Sequence, residues 1–226
     1  VCGLMVALGR QCGLEGEELR LAGVGGLLHD VGKVAMPLEV LNKPGKLTDD
    51  EFAIMKSHPG KGWEMLRKSG AVDETPLDIC LHHHERIDGN GYPEKISGAA
   101  LTLHARMGAI CDVYDAITSD RPYKSGWAPA ESIKRMTEWC NGHFDETLFK
   151  AFVKTVGIYP AGSLVRLRSG RLGMVTDQSE TSLLQPRVKV FYSLKSREPI
   201  SVETINLARS EDAILGLEDP TTWQSH

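Results

Sequence analysis

The sequence HHHERIDGNGYP, residues 82–93, places three consecutive histidines immediately before a glycine-rich turn. Asp88-Gly89, Gly91 and Pro93 fall within six residues, so a helix cannot continue through them and the histidines are expected at a helix end. In a helix body neighbouring side chains point about 100° apart, whereas at a fraying end two imidazoles can converge. The segment predicts a histidine cluster, with a surface turn carrying incidental histidines as its alternative.

A fourth histidine stands beside a carboxylate earlier in the chain. One helix is predicted through residues 19–33, and its glycines would each weaken an isolated helix by about 1 kcal/mol, which indicates close packing against a neighbour. The end of this helix carries His29 and Asp30. A carboxylate next to an imidazole ligand can bridge two metal ions, while the alternative is a histidine beside a solvated aspartate. Lys33 follows Asp30 at i+3 and is expected on the same face.

Two further side chains are candidate metal ligands. His58 is predicted in the middle of a helix over residues 51–66, directly before Pro59, which should kink or restart that helix. A lone helical histidine is more often a packed or exposed residue. Asp112 falls among apolar residues of a long helix predicted from residue 101 to about residue 120, with residues 121–124 just past its end. A carboxylate in an apolar face must be paired or metal-bound, because burying it bare costs several kcal/mol.

The pattern changes from helical to extended after Gly157. Residues 129–156 complete the helical part, with an apolar stripe at Phe144, Leu148, Phe149 and Phe152. After Gly157, apolar and polar residues alternate around Ser169-Gly170 and again in residues 186–193, which predicts a β-hairpin and a further strand. The fold class predicted is therefore mainly α, a helical bundle followed by a small β appendage.

These elements divide the sequence into two predicted domains. The helical domain covers residues 1–156, and its first helix is expected to be truncated because the apolar stripe is already under way at Val1 without a cap. Residues 157–226 form the β-rich appendage, with strands from about 158 to 208 and then a polar tail. The appendage contains no cluster of histidines or acidic residues, so we expect a structural or interaction role for it.

Composition limits the partners and the compartment. The net charge is −4 and no run of Lys and Arg exceeds two residues, which argues against nucleic-acid binding and favours a small-molecule partner. Five cysteines without a C-x-x-C pair indicate neither a disulfide framework nor a zinc knuckle, and suit a reducing compartment. No apolar run approaches the ~18 residues that span a bilayer. We therefore expect a soluble, cytoplasmic segment without signal peptide or membrane span.

Imidazoles and carboxylates from four predicted helices could converge in a bundle. The candidate metal ligands are His29, Asp30, His58, His83, His84 and Asp112. Such a set without thiolate suits iron, manganese, zinc or nickel, and six ligands exceed what one tetrahedral ion needs. The sequence therefore predicts a two-metal centre, whose usual chemistry is hydroxide attack on a phosphoryl group. Lys33, Arg121 and Lys124 would neutralise phosphate charge.

Four segments together resemble a known family. These are HDVGK at 29–33, HPGKG at 58–62, HHERIDGNGYP at 83–93 and DVYDAITSDRPYK at 112–124. In order and spacing they resemble the HD-GYP domain, the branch of the HD phosphohydrolase superfamily that hydrolyses the bacterial messenger cyclic di-GMP. The resemblance covers about residues 1–155 and implies an HD-type helical bundle; some members carry a similar β tail.

The resemblance also implies roles for individual residues. The six candidates above become metal ligands, with Asp30 bridging and also catalytic together with Lys33. Lys33, Arg121 and Lys124 become phosphate contacts, and Tyr92 becomes a wall of the site. Two or three divalent ions are implied, iron or manganese before zinc or nickel. His82 has no counterpart, and the family's first metal-binding histidine, with a glutamate one turn earlier in three-metal members, would lie upstream of Val1.

The function expected from the resemblance is a metal-dependent phosphodiesterase that hydrolyses cyclic di-GMP to linear pGpG, GMP or both. Hydrolysis of another nucleotide is one alternative, although the intact Gly91-Tyr92-Pro93 loop argues against it. A different class of function is a sensing or scaffold module that docks a diguanylate cyclase domain through the same loop. Loss of a ligand would favour that module, and all six candidate ligands are present in this sequence.

Overall fold

Helices come first along the chain and strands follow, as the periodicity predicts. The computed structural model describes residues 1–120, 126–127, 129–157, 159–179 and 185–223. The helices are α1 (Cys2–Gln11), α2 (Gly16–Leu28), α3 (Leu38–Leu41), α4 (Asp49–Met55), α5 (His58–Ser69), α6 (Glu74–His82), α7 (Leu103–Thr118), α8 (Pro129–His143) and α9 (Glu146–Val156). Backbone contacts divide the chain into two compact units, Val1–Trp127 with Lys134–Thr155, and Ala128–Ile133 with Val156–His226.

Close packing of α1, α2 and α6 accounts for the glycines of α2. A Cβ at Gly25 would lie 2.2 Å from Ile79 Cδ1 in α6, and a Cβ at Gly26 would lie 2.7 Å from Met5 Cγ in α1. Both distances are far below van der Waals contact, so any larger residue would separate the helices. The predicted close approach is confirmed. The core of this unit includes Met5, Leu8, Ala22, Ile79, Met107 and Ile110.

One predicted helix ends earlier than its pattern indicates. α2 stops at Leu28, so His29 and Asp30 follow the helix instead of lying in its last turn, and Val31–Ala35 form a 3-10 turn. The prediction that one helix runs through residue 33 is therefore wrong. The tighter turn brings Gly32 against the backbone of α5. α7 ends at Thr118, close to its predicted end before Arg121.

His58 begins a helix instead of lying within one. α4 ends at Met55 and α5 begins at His58, with Pro59 in its first turn. The expectation of a mid-helix histidine is wrong, and of the two effects expected from Pro59 the restart is the one observed. Proline suits the first turn because its missing N–H would have no helical acceptor there. The capping box of Thr48 and Glu51 begins α4.

The second unit contains an antiparallel sheet. Its strands are β1 (Leu164–Leu167), β2 (Arg171–Asp177), β3 (Arg187–Ser193), β4 (Glu198–Asn206) and β5 (Ile214–Leu217), in the order β4-β3-β2-β1-β5. The predicted hairpin is confirmed, because Leu164 of β1 pairs with Met174 of β2. β5 lies in the expected polar tail, so that part of the prediction is wrong; four residues are too few for alternation to identify a strand.

Among the residues that the structure describes, no helix combines the length and the apolar character that crossing a bilayer requires.

Candidate metal centre

Four elements of the helical unit bring the six predicted ligands together. His29 and Asp30 occupy the turn after α2, His58 is the first residue of α5, His83 and His84 follow the last residue of α6, and Asp112 lies in α7. His58 and His83 are each only 1% exposed. The ring centroids of His83 and His84 are 4.1 Å apart. The helix therefore ends where the two imidazoles converge, as the sequence predicts.

Three of the imidazoles are oriented by backbone carbonyls. Each uses Nδ1, and the pairs are His29 with Gly26 O (3.0 Å), His58 with Met55 O (2.8 Å) and His83 with Cys80 O (2.9 Å). A carbonyl oxygen can only accept a hydrogen bond, so each Nδ1 carries a proton and donates it. A neutral ring then presents a bare Nε2, which is the form in which histidine binds metals.

The Nε2 atoms of the histidines converge where a metal cation would satisfy them. His58 Nε2 and His83 Nε2 lie 3.3 Å apart. His29 Nε2 and Asp30 Oδ1 are buried without a hydrogen-bond partner within the described part of the chain. Buried lone pairs that face one another are unfavourable unless a positive group lies between them. The donor set therefore fits a metal ion.

Asp30 presents its two oxygens to different histidines. Oδ1 lies 3.3 Å from His58 Nε2 and 3.8 Å from His83 Nε2, whereas Oδ2 lies 3.3 Å from His29 Nε2. Lys33 Nζ donates to Oδ2 at 2.5 Å, so its predicted position on the same face is confirmed. The carboxylate therefore lies between His29 on one side and His58 and His83 on the other. A carboxylate that bridges two metal ions requires this arrangement.

Asp112 is a second carboxylate between the histidines, because it lies close to both His29 and His84. Its Oδ1 lies 3.4 Å from His29 Nε2 and its Oδ2 lies 3.7 Å from His84 Nδ1. Ligand atoms lie within 4.8 Å of one another in two sets, which are His58, His83, His84 and His29, Asp30, His83. The cluster can therefore hold metal.

Both carboxylates are held in their ionised forms. Burial opposes ionisation of Asp30, but His29, His58 and Lys33 hold the pKa of that carboxyl well below its usual range. Burial also opposes ionisation of Asp112, and His29 chiefly lowers its pKa to about 2. The two carboxylates are therefore available as anionic ligands at neutral pH.

The histidines differ in their protonation. Burial lowers the pKa of His84 to about 4 and that of His83 well below its ordinary value, so both rings are neutral. Burial also opposes protonation of His29, but Asp112 and Asp30 raise its pKa to about 9. A proton on His29 compensates the carboxylates as a metal cation would, and metal binding there would displace it.

Tyr92 lies against one side of the cluster. Its ring stacks on His84 with centroids 4.7 Å apart and 27° between planes. Both residues line a pocket of about 790 Å³. Of the other predicted substrate contacts, Lys33 is bound to Asp30, and Arg121 and Lys124 lie outside the described residues.

Glu85 is a residue of this region whose role the sequence analysis missed. It is 2% exposed, and its Oε1 accepts hydrogen bonds from the backbone N–H groups of Glu94 (2.7 Å) and Lys95 (2.9 Å). A Cβ at Gly91 would lie 2.4 Å from Glu85 Cα, so the loop passes directly over this residue. The sequence feature that could have indicated this role is the position of a glutamate between the histidines and the glycine-rich turn.

His82, unassigned from the sequence, also holds the loop. Its Nδ1 lies 2.7 Å from Asp78 Oδ1 on the same helix, and its Nε2 lies 3.1 Å from Glu94 Oε2 on the loop. The ring thus connects the last turns of α6 to the segment that follows Tyr92. His82 supports the loop and is separate from the six candidate ligands.

We predict that Glu85→Ala lowers the free energy of unfolding by about 2 to 4 kcal/mol, because two backbone N–H groups lose a charged acceptor. Urea unfolding measures this loss. Glu94→Ala is the matched control, because it removes only the half-exposed partner of His82 and leaves both N–H bonds to Glu85; it should cost less than about 1 kcal/mol. Equal losses in the two variants would contradict the anchoring role of Glu85.

Comparisons with known proteins agree with this geometry. Residues 1–148 match the family model described as HD domain. A cyclic di-GMP phosphodiesterase of Pseudomonas aeruginosa is 57% identical over 225 residues, which are 99% of this chain and 54% of that protein. A cyclic di-GMP phosphodiesterase response regulator of Xanthomonas campestris pv. campestris is 48% identical over 128 residues, 56% of this chain and 33% of that protein. The chain thus spans about half the length of the first relative and a third of the second.

Among solved structures, an HDG"Y"P protein from Bdellovibrio bacteriovorus is similar with a TM-score of 0.56 and 21% identity. The match covers 68% of this chain and 50% of that chain. At this identity the similarity shows a shared fold, which agrees with the helical bundle described above.

Proposed function

Because the chain belongs to the HD domain family, we propose that it is a metal-dependent phosphodiesterase that hydrolyses cyclic di-GMP. The observation that carries the proposal is the convergence of buried histidine nitrogens on the two oxygens of Asp30. The relatives named as cyclic di-GMP phosphodiesterases support the choice of substrate. Loss of a ligand would favour a sensing or docking module, and all six candidates are present.

In this proposal each group of ligands would hold one divalent ion. His29 and Asp112 would hold one ion, His58, His83 and His84 would hold the other, and Asp30, which lies between the two groups, would be shared by both. When bound, the two ions would activate water and offset the charge of the leaving oxygen. Iron or manganese suits this set of imidazoles and carboxylates, zinc and nickel are alternatives, and a third ion would need further ligands.

The chain's own side chains orient this site. Lys33 donates a hydrogen bond to Asp30 Oδ2, and this bond leaves Oδ1 directed towards His58. The ammonium group of Lys33 also supplies positive charge for a substrate phosphate. Tyr92 covers one face of His84 and limits access of water to that ring. Asp30 keeps its negative charge across the neutral pH range because its pKa lies well below the usual value.

Arg121 and Lys124 complete the proposed substrate site as phosphate contacts. We expect the double variant Arg121→Gln/Lys124→Gln to bind cyclic di-GMP at least about tenfold more weakly, since each charge-assisted contact contributes about 1.5 to 3 kcal/mol. Metal per chain should stay the same, because neither residue is a proposed ligand. Titration with the nucleotide and elemental analysis measure the two quantities. Unchanged affinity would remove both residues from the site.

The proposal extends to product, partner and compartment. The products are linear pGpG, GMP or both, and a diguanylate cyclase domain could dock on the loop that carries Gly91-Tyr92-Pro93. A cytoplasmic location suits five cysteines without a disulfide pattern.

Hydrolysis by the metal-loaded, full-length protein tests the proposed function. The protein is prepared anaerobically with iron(II) or manganese(II), metal per chain is measured, and cyclic di-GMP, pGpG and GMP are separated over time. We expect about two ions per chain and turnover that a chelator removes. Metal-loaded protein that binds cyclic di-GMP without cleaving it would instead support the sensing function.

A further inference from the structure

The pocket beside the metal centre presents more free positive charge than negative charge. Among the described residues that line it, the side chains with full charges are Lys56, Glu85, Arg86 and Lys95. Glu85 is buried and bonded to the backbone of the loop, and Arg86 donates two hydrogen bonds to Asp88. No described carboxylate forms an ion pair with Lys56 or Lys95. The pocket is therefore suited to a ligand that carries negative charge or strong hydrogen-bond acceptors.

Lys56 is positioned in this pocket by two aromatic rings. Its Nζ lies 4.5 Å from the centroid of the Phe52 ring and 5.8 Å from that of Tyr92. The two rings meet edge to face with centroids 6.5 Å apart. Tyr92 in turn stacks on His84. Phe52, Lys56 and Tyr92 therefore line the part of the pocket that adjoins the metal centre.

Phe52 keeps part of its aromatic ring exposed to solvent. It lies on α4, which has no buried residues, and 43% of its surface is exposed. An exposed aromatic ring beside a tyrosine and an unpaired ammonium group offers a flat apolar surface and a donor at one edge. Nucleobases stack on aromatic side chains, and lysine donates to the O6 and N7 acceptors of guanine. Adenine has an amino donor in place of O6, which an ammonium group cannot contact favourably.

We propose that Phe52, Lys56 and Tyr92 form a guanine-binding subsite that holds one base of the substrate next to the metal centre. This inference rests on the proposed function and specifies how the site selects its nucleotide. Phe52 and Tyr92 pack against the base, and Lys56 donates to O6 and N7. α4 therefore contributes substrate specificity, although it contains none of the proposed metal ligands.

Two variants and a matched control test the subsite in the full-length, metal-loaded protein. Lys56→Met keeps the length of the side chain and removes its charge, and Phe52→Leu keeps an apolar side chain and removes the flat ring. Lys61→Met is the control, because Lys61 is exposed on α5 and does not line the pocket. All three replaced side chains are exposed, so the variants should fold like the parent protein.

The measurements are KM and kcat for cyclic di-GMP, together with direct titration of GMP and AMP. We expect each pocket variant to raise KM at least tenfold with a smaller change in kcat, and Lys56→Met to remove the preference for GMP over AMP. The control should match the parent protein. Unchanged KM and GMP affinity in both pocket variants would overturn the subsite, as would a loss of metal in either variant.

GMP titration also separates this inference from the function on which it rests. If the parent protein does not cleave cyclic di-GMP, but GMP binding still depends on Phe52 and Lys56, the proposed function fails and the subsite stands. If the parent protein cleaves cyclic di-GMP and neither variant changes KM or GMP binding, the subsite fails and the function stands.

Discussion

Replacing Asp30 with alanine is expected to remove bound metal and phosphodiesterase activity together. Each oxygen of this carboxylate faces a different group of candidate ligands, so one substitution affects both proposed ions. Loss of a partner outside the ligand shell already costs about 10- to 100-fold in metal affinity or activity, and a shared ligand should cost more. We expect activity to fall by more than about 100-fold, measured with metal per chain on the same sample.

Two companion variants make the result specific. Asp30→Asn keeps the size of the side chain and removes its charge, so it should also lose metal if the negative charge is required. Asp73→Ala is the control, because this exposed aspartate lies before α6 and its side chain does not cap the helix. It should retain metal and activity. An Asp30→Ala protein with full metal content and normal turnover would show that the carboxylate does not bridge.

The candidate ligands could be predicted from sequence because their residue types conflict with their surroundings. Consecutive histidines before a glycine-rich turn and Asp112 within an apolar helix need an explanation that ordinary packing does not supply. The structure brings these residues together around Asp30, and their role as metal ligands stays a prediction. His82 could not be assigned in the same way, because its partner Glu94 lies across a turn.

The pocket wall could not be predicted, because it depends on how distant elements pack. Phe52 lies on the short helix α4, and Lys56 is the residue that directly follows this helix. Their relation to Tyr92 arises only when α4 lies beside the loop that follows α6. Helix ends were also missed where tertiary contacts override propensity, as at His29, where the chain leaves α2 although the apolar pattern continues.

Gly32 is the point at which two ligand-bearing segments touch through their backbones. A Cβ built on Gly32 would lie 1.9 Å from the carbonyl oxygen of His58 and 2.6 Å from the backbone nitrogen of Gly62. Both neighbours are backbone atoms of α5, so a rotamer change cannot relieve the contact. The glycine therefore sets the distance between the turn that carries Asp30 and the helix that begins with His58.

We predict that Gly32→Ala destabilises the protein by about 3 kcal/mol, near the upper end of the usual cost of overpacking, because α5 must move as a whole. For a chain of this size the loss should lower the thermal midpoint by about 6 to 12 °C. Metal binding should weaken as well, since His58 and Asp30 move apart. Differential scanning calorimetry and metal titration measure the two effects.

Gly60→Ala is the matched control for this prediction, because Gly60 lies on α5 only two residues after His58. A Cβ on Gly60 meets no heavy atom within 4 Å, and alanine is favoured over glycine in a helix by about 0.5 to 1 kcal/mol. The control should therefore be as stable as the parent protein or slightly more stable, with unchanged metal affinity. If Gly32→Ala matched it in thermal midpoint and metal affinity, the backbone contact between the turn and α5 would not hold the two ligand segments in place.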